Sequence, residues 1–221
     1  MSKRKISFIK GEYYHIYNRG NSKQKIFNDK EDYQIFTKFL RLCNQEERIR
    51  LRNVSDHFLK KDSEPLISIG AYVLMPNHFH ILLTEKMDNG ITKFMQKIST
   101  GYAMYYNQKY KRTGSLFEGK FKSQHLDNDK YLKYIFSYIH LNPIKLIDKD
   151  WKENGLKDRD RATDFLKSYQ YSSYLDYYGD ERAQKYILNR RDFPDYFPTK
   201  EHFIGEIIYW FDYKNTEALP R

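Results

Sequence analysis

Residues 73–83 read VLMPNHFHILL, and this stretch decides how the rest of the chain is understood. Pro76-Asn77 is a turn signal between two apolar runs, so Leu66–Met75 and Phe79–Thr84 are predicted to pair as a hairpin. On a strand, residues two apart share a face. His78 and His80 therefore project side by side from the hairpin while Phe79 points the other way. Two neutral imidazoles on one face form a ready bidentate site for a divalent ion. The bland alternative is a buried pair satisfied by ordinary hydrogen bonds. A third ligand and a nucleophile from another element would decide between them.

Outward from the hairpin, the pattern alternates between strand and helix. Residues 12–19, EYYHIYNR, alternate between Gly11 and Gly20 and are predicted as a strand. From Lys30 to about Arg50, apolar residues at Tyr33, Phe36, Phe39, Leu40 and Cys43 have helical spacing. Asn89-Gly90 precedes a helix predicted from Ile91 to Tyr110. The basic loop Lys111–Gly114 then leads into a strand predicted from Ser115 to His125. Asp127 or Asn128 caps a further helix that Pro143 ends. The order β-α-β-β-α-β followed by a helix predicts an α+β fold, a ferredoxin-like (RRM-like) antiparallel sheet with helices packed on it. Residues 1–147 would form this core. Residues 148–221, with mixed charges and aromatic helical pieces, would form a mostly helical C-terminal extension.

Composition bounds the function. The chain has 221 residues, 40% of them hydrophobic, enough for a real core. No apolar run approaches the roughly 18 residues of a membrane helix, and the basic N-terminus lacks the apolar region of a signal peptide. A single cysteine, Cys43, excludes an intramolecular disulfide and suits a reducing compartment. The expectation is a soluble, cytoplasmic protein. A net charge of +10 suits a polyanionic partner such as nucleic acid. The 21 tyrosines and 15 phenylalanines offer surfaces on which unpaired bases stack, although AT-rich coding alone would enrich the tyrosines.

The helix predicted over 128–142 supplies the missing groups. Tyr138 and Asn142 are four residues apart and share a face near its end. A phenol is a poor nucleophile at its ordinary pKa near 10, but it becomes useful when a bound cation polarises the electrophile. Asn142 offers a neutral oxygen ligand. Tyr131 and Tyr134 lie nearby, and spacing alone does not choose among the three tyrosines. Tyr138 as core and Asn142 as a helix terminator are equally ordinary.

AYVLMPNHFHILL resembles the HUH motif of the single-tyrosine (Y1), IS200-like transposases. YHIYNRGNSKQKIF resembles the first strand and turn of their REP-associated branch. SLFEGKFKSQHLDNDKYLKYIFSYIHLNPIKL is similar to the catalytic stretch of that branch, and YSSY at 171–174 to an element just beyond it. The resemblance implies Tyr138 as the nucleophile, and His78, His80 and Asn142 as ligands of Mg²⁺ or Mn²⁺, with Asn142 where IS200-type members carry glutamine. It implies cleavage of single-stranded DNA beside hairpins through a 5′-phosphotyrosine link, in the bacterial cytoplasm at the nucleoid, by a monomer or homodimer. Arg19, Lys23, Lys25, Arg112, Lys120 and Lys122 are candidate phosphate contacts. Lys120 stands where relatives often have arginine and lacks its bidentate fork. Two rivals keep other chemistry: an inactive or domesticated binder of structured single-stranded nucleic acid, and an unrelated HxH phosphohydrolase that uses water as its nucleophile.

Overall fold

Four strands form one antiparallel sheet, ordered β2-β3-β1-β4, in a computed structural model that describes residues 8–47 and 64–212. They are β1 (Tyr13–Arg19), β2 (Ile67–Met75), β3 (His78–Glu85) and β4 (Lys122–His125). Helices α1 (Lys30–Leu42) and α2 (Gly90–Lys109) are the two crossovers, and α3 (Asp129–Leu141) follows β4. A 3-10 turn at Asn142–Leu146 leads to α4 (Trp151–Asn154), α5 (Arg159–Ser168), α6 (Tyr174–Tyr178) and α7 (Lys200–Asp212). β3 lies between β1 and β2, which is the split ferredoxin-like unit that the element order predicts.

The sheet is covered on both faces. Tyr14, Ile16, Tyr72, Leu74, Phe79 and Ile81 share a core with Phe36 and Phe39 of α1 and Phe94, Ile98 and Tyr102 of α2. On the other face, Ala71, Val73, Met75 and Leu82 pack against Leu132, Ile135, Phe136 and Ile139 of α3 and against the later helices. β2 is buried at every position, which explains its nearly unbroken apolar sequence.

The residues after α3 also seal the edge of the sheet. β2 is an outer strand, and its free backbone groups would otherwise template pairing with another chain. Instead Leu74 N donates to Tyr171 O and Ser173 N donates to Tyr72 O, each at 2.9 Å. Tyr72 N donates to Ser173 Oγ at 2.9 Å, Tyr169 Oη to Leu74 O at 2.6 Å, and Tyr177 Oη to Gly70 O at 2.8 Å. The YSSY segment is thus a cap on the β2 edge.

Two predicted elements are shorter than expected. α1 begins with a capping box formed by Asp29 and Asp32, but it ends at Leu42, not near Arg50. Just beyond it, Asn44 bonds Ile67 N and Ile67 O through its amide, both at 2.9 Å, and ties the chain to the start of β2. Residues 48–50 of the predicted helix lie outside the described residues. The strand expected over Ser115–His125 is confined to Lys122–His125. Gly114 and Gly119 adopt φ of 84° and 129°, and only a single bridge, Gly20 to Phe117, joins the intervening segment to the sheet. The cap of α3 is Asn128, whose side chain accepts from Tyr131 N at 2.8 Å.

Candidate active site

Strand register collects the histidines. His78 lies opposite Arg19, His80 opposite Tyr17, and Leu82 opposite His15. Tyr17 in turn lies opposite Lys122 on β4. Opposed residues point to the same face, so His15, Tyr17, Arg19, His78, His80 and Lys122 form one field beside α3.

Each histidine of the pair is held through one ring nitrogen. His78 Nδ1 lies 2.6 Å from Asn77 Oδ1, an acceptor, so the proton sits on Nδ1 and the Nε2 lone pair is free. His80 Nδ1 lies 2.8 Å from His15 Nε2. Both rings are buried, and burial is the largest cause of their lowered pKa values: His15 falls to about 4, and His80 falls well below its ordinary value. Two neutral imidazoles in contact must share one proton. If His80 donates through Nδ1, its Nε2 also becomes a free lone pair, on a ring whose centre is 5.0 Å from that of His78. Burial likewise lowers His78 to about 4, with Lys145 lowering it further and Asn142 acting in the other direction. At neutral pH all three rings are uncharged, the form that binds a metal.

Helix α3 brings Tyr138 over this field. Its ring meets His80 edge-on with centroids 5.3 Å apart, and His15 at 5.9 Å. Tyr134 packs against Tyr138 at 6.0 Å and Trp210 at 5.1 Å, and Tyr131 stacks on Tyr134 at 6.2 Å. Burial raises the pKa of Tyr138, and Asn142 opposes that rise. Asn142 is itself buried, yet neither its Oδ1 nor its Nδ2 has a hydrogen-bond partner. The amide approaches His78 and Tyr138 without completing a hydrogen bond to either. An unsatisfied buried amide costs on the order of 1–3 kcal/mol, a cost that a ligand would relieve.

These donors suit a divalent ion: the His78 Nε2 lone pair, the His80 Nε2 lone pair in the tautomer that donates to His15, and one amide oxygen without a partner. Among the described residues no group of three His, Cys, Asp or Glu side chains is arranged to hold a metal. The Asn142 amide is the neutral oxygen donor that the described residues place beside the pair. Harder ions such as Mg²⁺ and Mn²⁺ accept mixed nitrogen and oxygen ligation and keep open positions for water or phosphate.

The candidate phosphate contacts divide by position. Arg19 and Lys122 stand on the histidine face, although Arg19 is already paired with Glu118. Lys23, Lys25 and Lys120 are exposed. Arg112 lies over the Tyr106 ring at 5.5 Å, on the α2 side of the sheet, away from the histidines.

The family model described as "Transposase IS200 like" matches residues 9–142, more than half of the chain and all of the site built so far. The chain belongs to the IS200-like transposase family. Among solved structures, a REP-associated tyrosine transposase bound to a REP hairpin aligns with a TM-score of 0.51 at 17% identity, over 80% of this chain and 84% of that one. It shares the fold. A tRNA(His) guanylyltransferase from Saccharomyces cerevisiae aligns at a TM-score of 0.39 and 12% identity, over 90% of this chain and 87% of that one. No curated protein matches the chain.

The sequence reading of this IS200-like transposase missed three residues of the site. His15 and Tyr17 were visible only as parts of an alternating strand. That alternation, Tyr13, His15, Tyr17 and Arg19 against Tyr14 and Ile16, already separates a polar face from an apolar one. Lys152, whose Nζ lies 4.4 Å from the centre of the Tyr138 ring, sits in the mixed-charge stretch that supplied none of the candidate residues. Among the described residues no helix is long and apolar enough to cross a membrane.

Proposed function

We propose that this transposase cleaves and rejoins single-stranded DNA next to hairpins, with Tyr138 as nucleophile and His78, His80 and Asn142 as the ligands of Mg²⁺ or Mn²⁺. The observation that carries the reading is the position of Tyr138, edge-on to His80 in the same chain and one helical turn from the unpartnered Asn142 amide. Tyr138 Oη attacks the scissile phosphorus. The phenol proton leaves to solvent, an O–P bond forms, and the P–O3′ bond breaks. The leaving 3′ oxygen takes up a proton and departs as a hydroxyl, while the 5′ phosphate stays on the tyrosine. Attack by a 3′-hydroxyl on the phosphotyrosine reverses these changes and joins a strand. When bound, the metal ion supplies Lewis-acid polarisation of the phosphate.

The remaining tasks fall to the chain. His78 and His80 present Nε2, Asn77 and His15 hold their rings, and the buried strands fix both. Arg19, Lys23, Lys25, Lys120 and Lys122 supply the positive field for the strand. The solved REP-associated enzyme, which holds a REP hairpin, supports a hairpin-bearing single strand as the partner. Residues 1–147 are read as the catalytic core, and residues 148–221 as an extension that seals the β2 edge. The active site is read as complete within one chain, whatever the oligomeric state.

The test is a labelled single strand carrying a hairpin, incubated with the protein and Mn²⁺. Wild type should yield a denaturation-resistant protein–DNA adduct and Tyr138→Phe none. DNA retarded without cleavage would support a binder, and cleavage without an adduct, surviving Tyr138→Phe, would support a hydrolase. Either result overturns the proposal.

A further inference from the structure

Lys152 lies beyond the stretch that matches the family model, yet it reaches the centre of the site. Its Nζ is 4.4 Å from the centre of the Tyr138 ring and 5.9 Å from that of Tyr134. The preceding Trp151 is buried in the core shared by α3 and the later helices, and it pins the short α4 in place. The lysine is half-buried, and among the described residues it forms neither an ion pair nor a hydrogen bond. Burial and the nearby Lys145 bring its pKa down to about 8, with Glu153 pulling in the opposite direction.

Such a cation is costly to keep, because half-burial removes water from a charge that has no ion-pair partner among the described residues. The aromatic faces of Tyr138 and Tyr134 offset part of this cost. An arriving anion would offset the rest. Its neighbour Tyr138 has the matching deficit. Burial raises the pKa of the phenol, so attack through its oxygen depends on positive charge close by.

We propose that Lys152 is the phosphate-binding cation of the active site, holding the scissile phosphate against Tyr138 and then the phosphotyrosine that replaces it. This rests on the tyrosine chemistry proposed above. It also has a consequence of opposite sign. Lys152 and Lys145 both act electrostatically on His80, so before DNA arrives the lysine repels a divalent ion from the histidines. The phosphate reverses this by lying between the two cations.

The experiment uses the full chain as wild type, Lys152→Met, Lys152→Arg and Lys149→Met, the last removing an equal charge at an exposed position. Methionine keeps the apolar stem of the lysine. The first readout is Mn²⁺ alone, titrated without DNA and followed by electron paramagnetic resonance. Lys152→Met should bind it roughly 3- to 10-fold more tightly, and Lys152→Arg and Lys149→Met like wild type. The second readout is the rate of adduct formation on a hairpin-bearing single strand. Lys152→Met should lose roughly 10²-fold or more, Lys152→Arg should stay within about 10-fold of wild type, and Lys149→Met should be unaffected. A purely structural lysine would weaken both readouts together. Lys152→Met that matches wild type in either readout overturns the role of the lysine. Wild type that forms no adduct overturns the tyrosine chemistry itself.

Discussion

His15 carries the sharpest quantitative expectation. Its Nε2 is the partner of His80 Nδ1 at 2.8 Å, and both rings are buried. Replacement by phenylalanine keeps an aromatic ring between Tyr17 and Tyr138, which lie 5.1 and 5.9 Å away, but it removes the ring nitrogen that accepts from His80 in the proposed metal-binding tautomer. His80 then has two poor options. It can keep the proton on Nδ1 with no partner, at a stability cost on the order of 1–3 kcal/mol. Otherwise it moves the proton to Nε2 and loses the lone pair proposed to bind the metal. Partners of this kind change metal affinity by about 10- to 100-fold, which is about 1.4–2.7 kcal/mol at roughly 1.36 kcal/mol per decade. Mn²⁺ titration of the DNA-free protein should show this loss in His15→Phe, with the melting temperature falling by about 2–4 °C per kcal/mol for a chain of this size. His15→Gln restores an acceptor oxygen and should recover most of the affinity. The reasoning is refuted if His15→Phe binds Mn²⁺ like wild type, or if glutamine rescues no better than phenylalanine.

Asn142→Leu should separate stability from function. Removing a buried amide that has no hydrogen-bond partner should leave the unfolding free energy from urea titration unchanged or raise it by up to about 1 kcal/mol, while Mn²⁺ affinity falls; a destabilised variant with normal affinity would contradict the ligand role. Acid should destabilise the fold. Burial lowers His15 to about 4 and His140 to about 3, so between pH 6.5 and those values the unfolded chain binds more protons and stability is lost as pH falls. At pH 5 each histidine should cost about 2 kcal/mol relative to neutral pH, and equal urea midpoints at pH 7 and pH 5 would refute this. Tyr138→Phe mixed with a His78→Ala, His80→Ala double variant should form no adduct, because the ring of Tyr138 already faces the His80 of its own chain. Recovered adduct in the mixture would place the tyrosine in a second copy.

Short-range pattern carried much of this site, and long-range docking carried the remainder. The HxH spacing needs only strand periodicity, and the i, i+4 relation of Tyr138 and Asn142 needs only helical periodicity; both lie as predicted on β3 and at the end of α3. His15 became meaningful only through the β1–β3 register, which aligns Leu82 with His15 and lets His80 reach across. No local signal specifies a register between strands separated by about sixty residues of chain. Lys152 is still more remote, since it reaches Tyr138 through the burial of Trp151. The overlong strand at 115–125 failed for a local reason: SLFEGKFKSQH alternates well enough, but Gly119 at φ 129° breaks the extended run before β4. Among the candidate cations, composition could not separate Lys122, on the histidine face, from Arg112, stacked on Tyr106.

The charge character of the site bears on why the proposed reaction would run in both directions. The groups that act most strongly on His78, His80 and Tyr138 are lysines, an arginine, imidazoles, a tyrosine and an amide, and the carboxylates of Glu118 and Glu153 act on the surrounding cations Arg19 and Lys152. A carboxylate ligand set would hold a divalent ion tightly in the free protein and would repel an incoming phosphodiester. A neutral ligand set flanked by cations does the reverse: it holds the ion weakly until a phosphate supplies the missing negative charge. Under the proposed ligand set, binding of metal and DNA would be reciprocally favourable, by the same factor in each direction. In the proposed reaction the phosphotyrosine would keep the same phosphate in the same field, so cleavage and rejoining would start from similarly charged states. A site built this way favours neither the cut nor the joined strand through its own charges. That balance would suit transfer of a strand, in which the tyrosine ester conserves the phosphodiester's free energy until a 3′-hydroxyl attacks it.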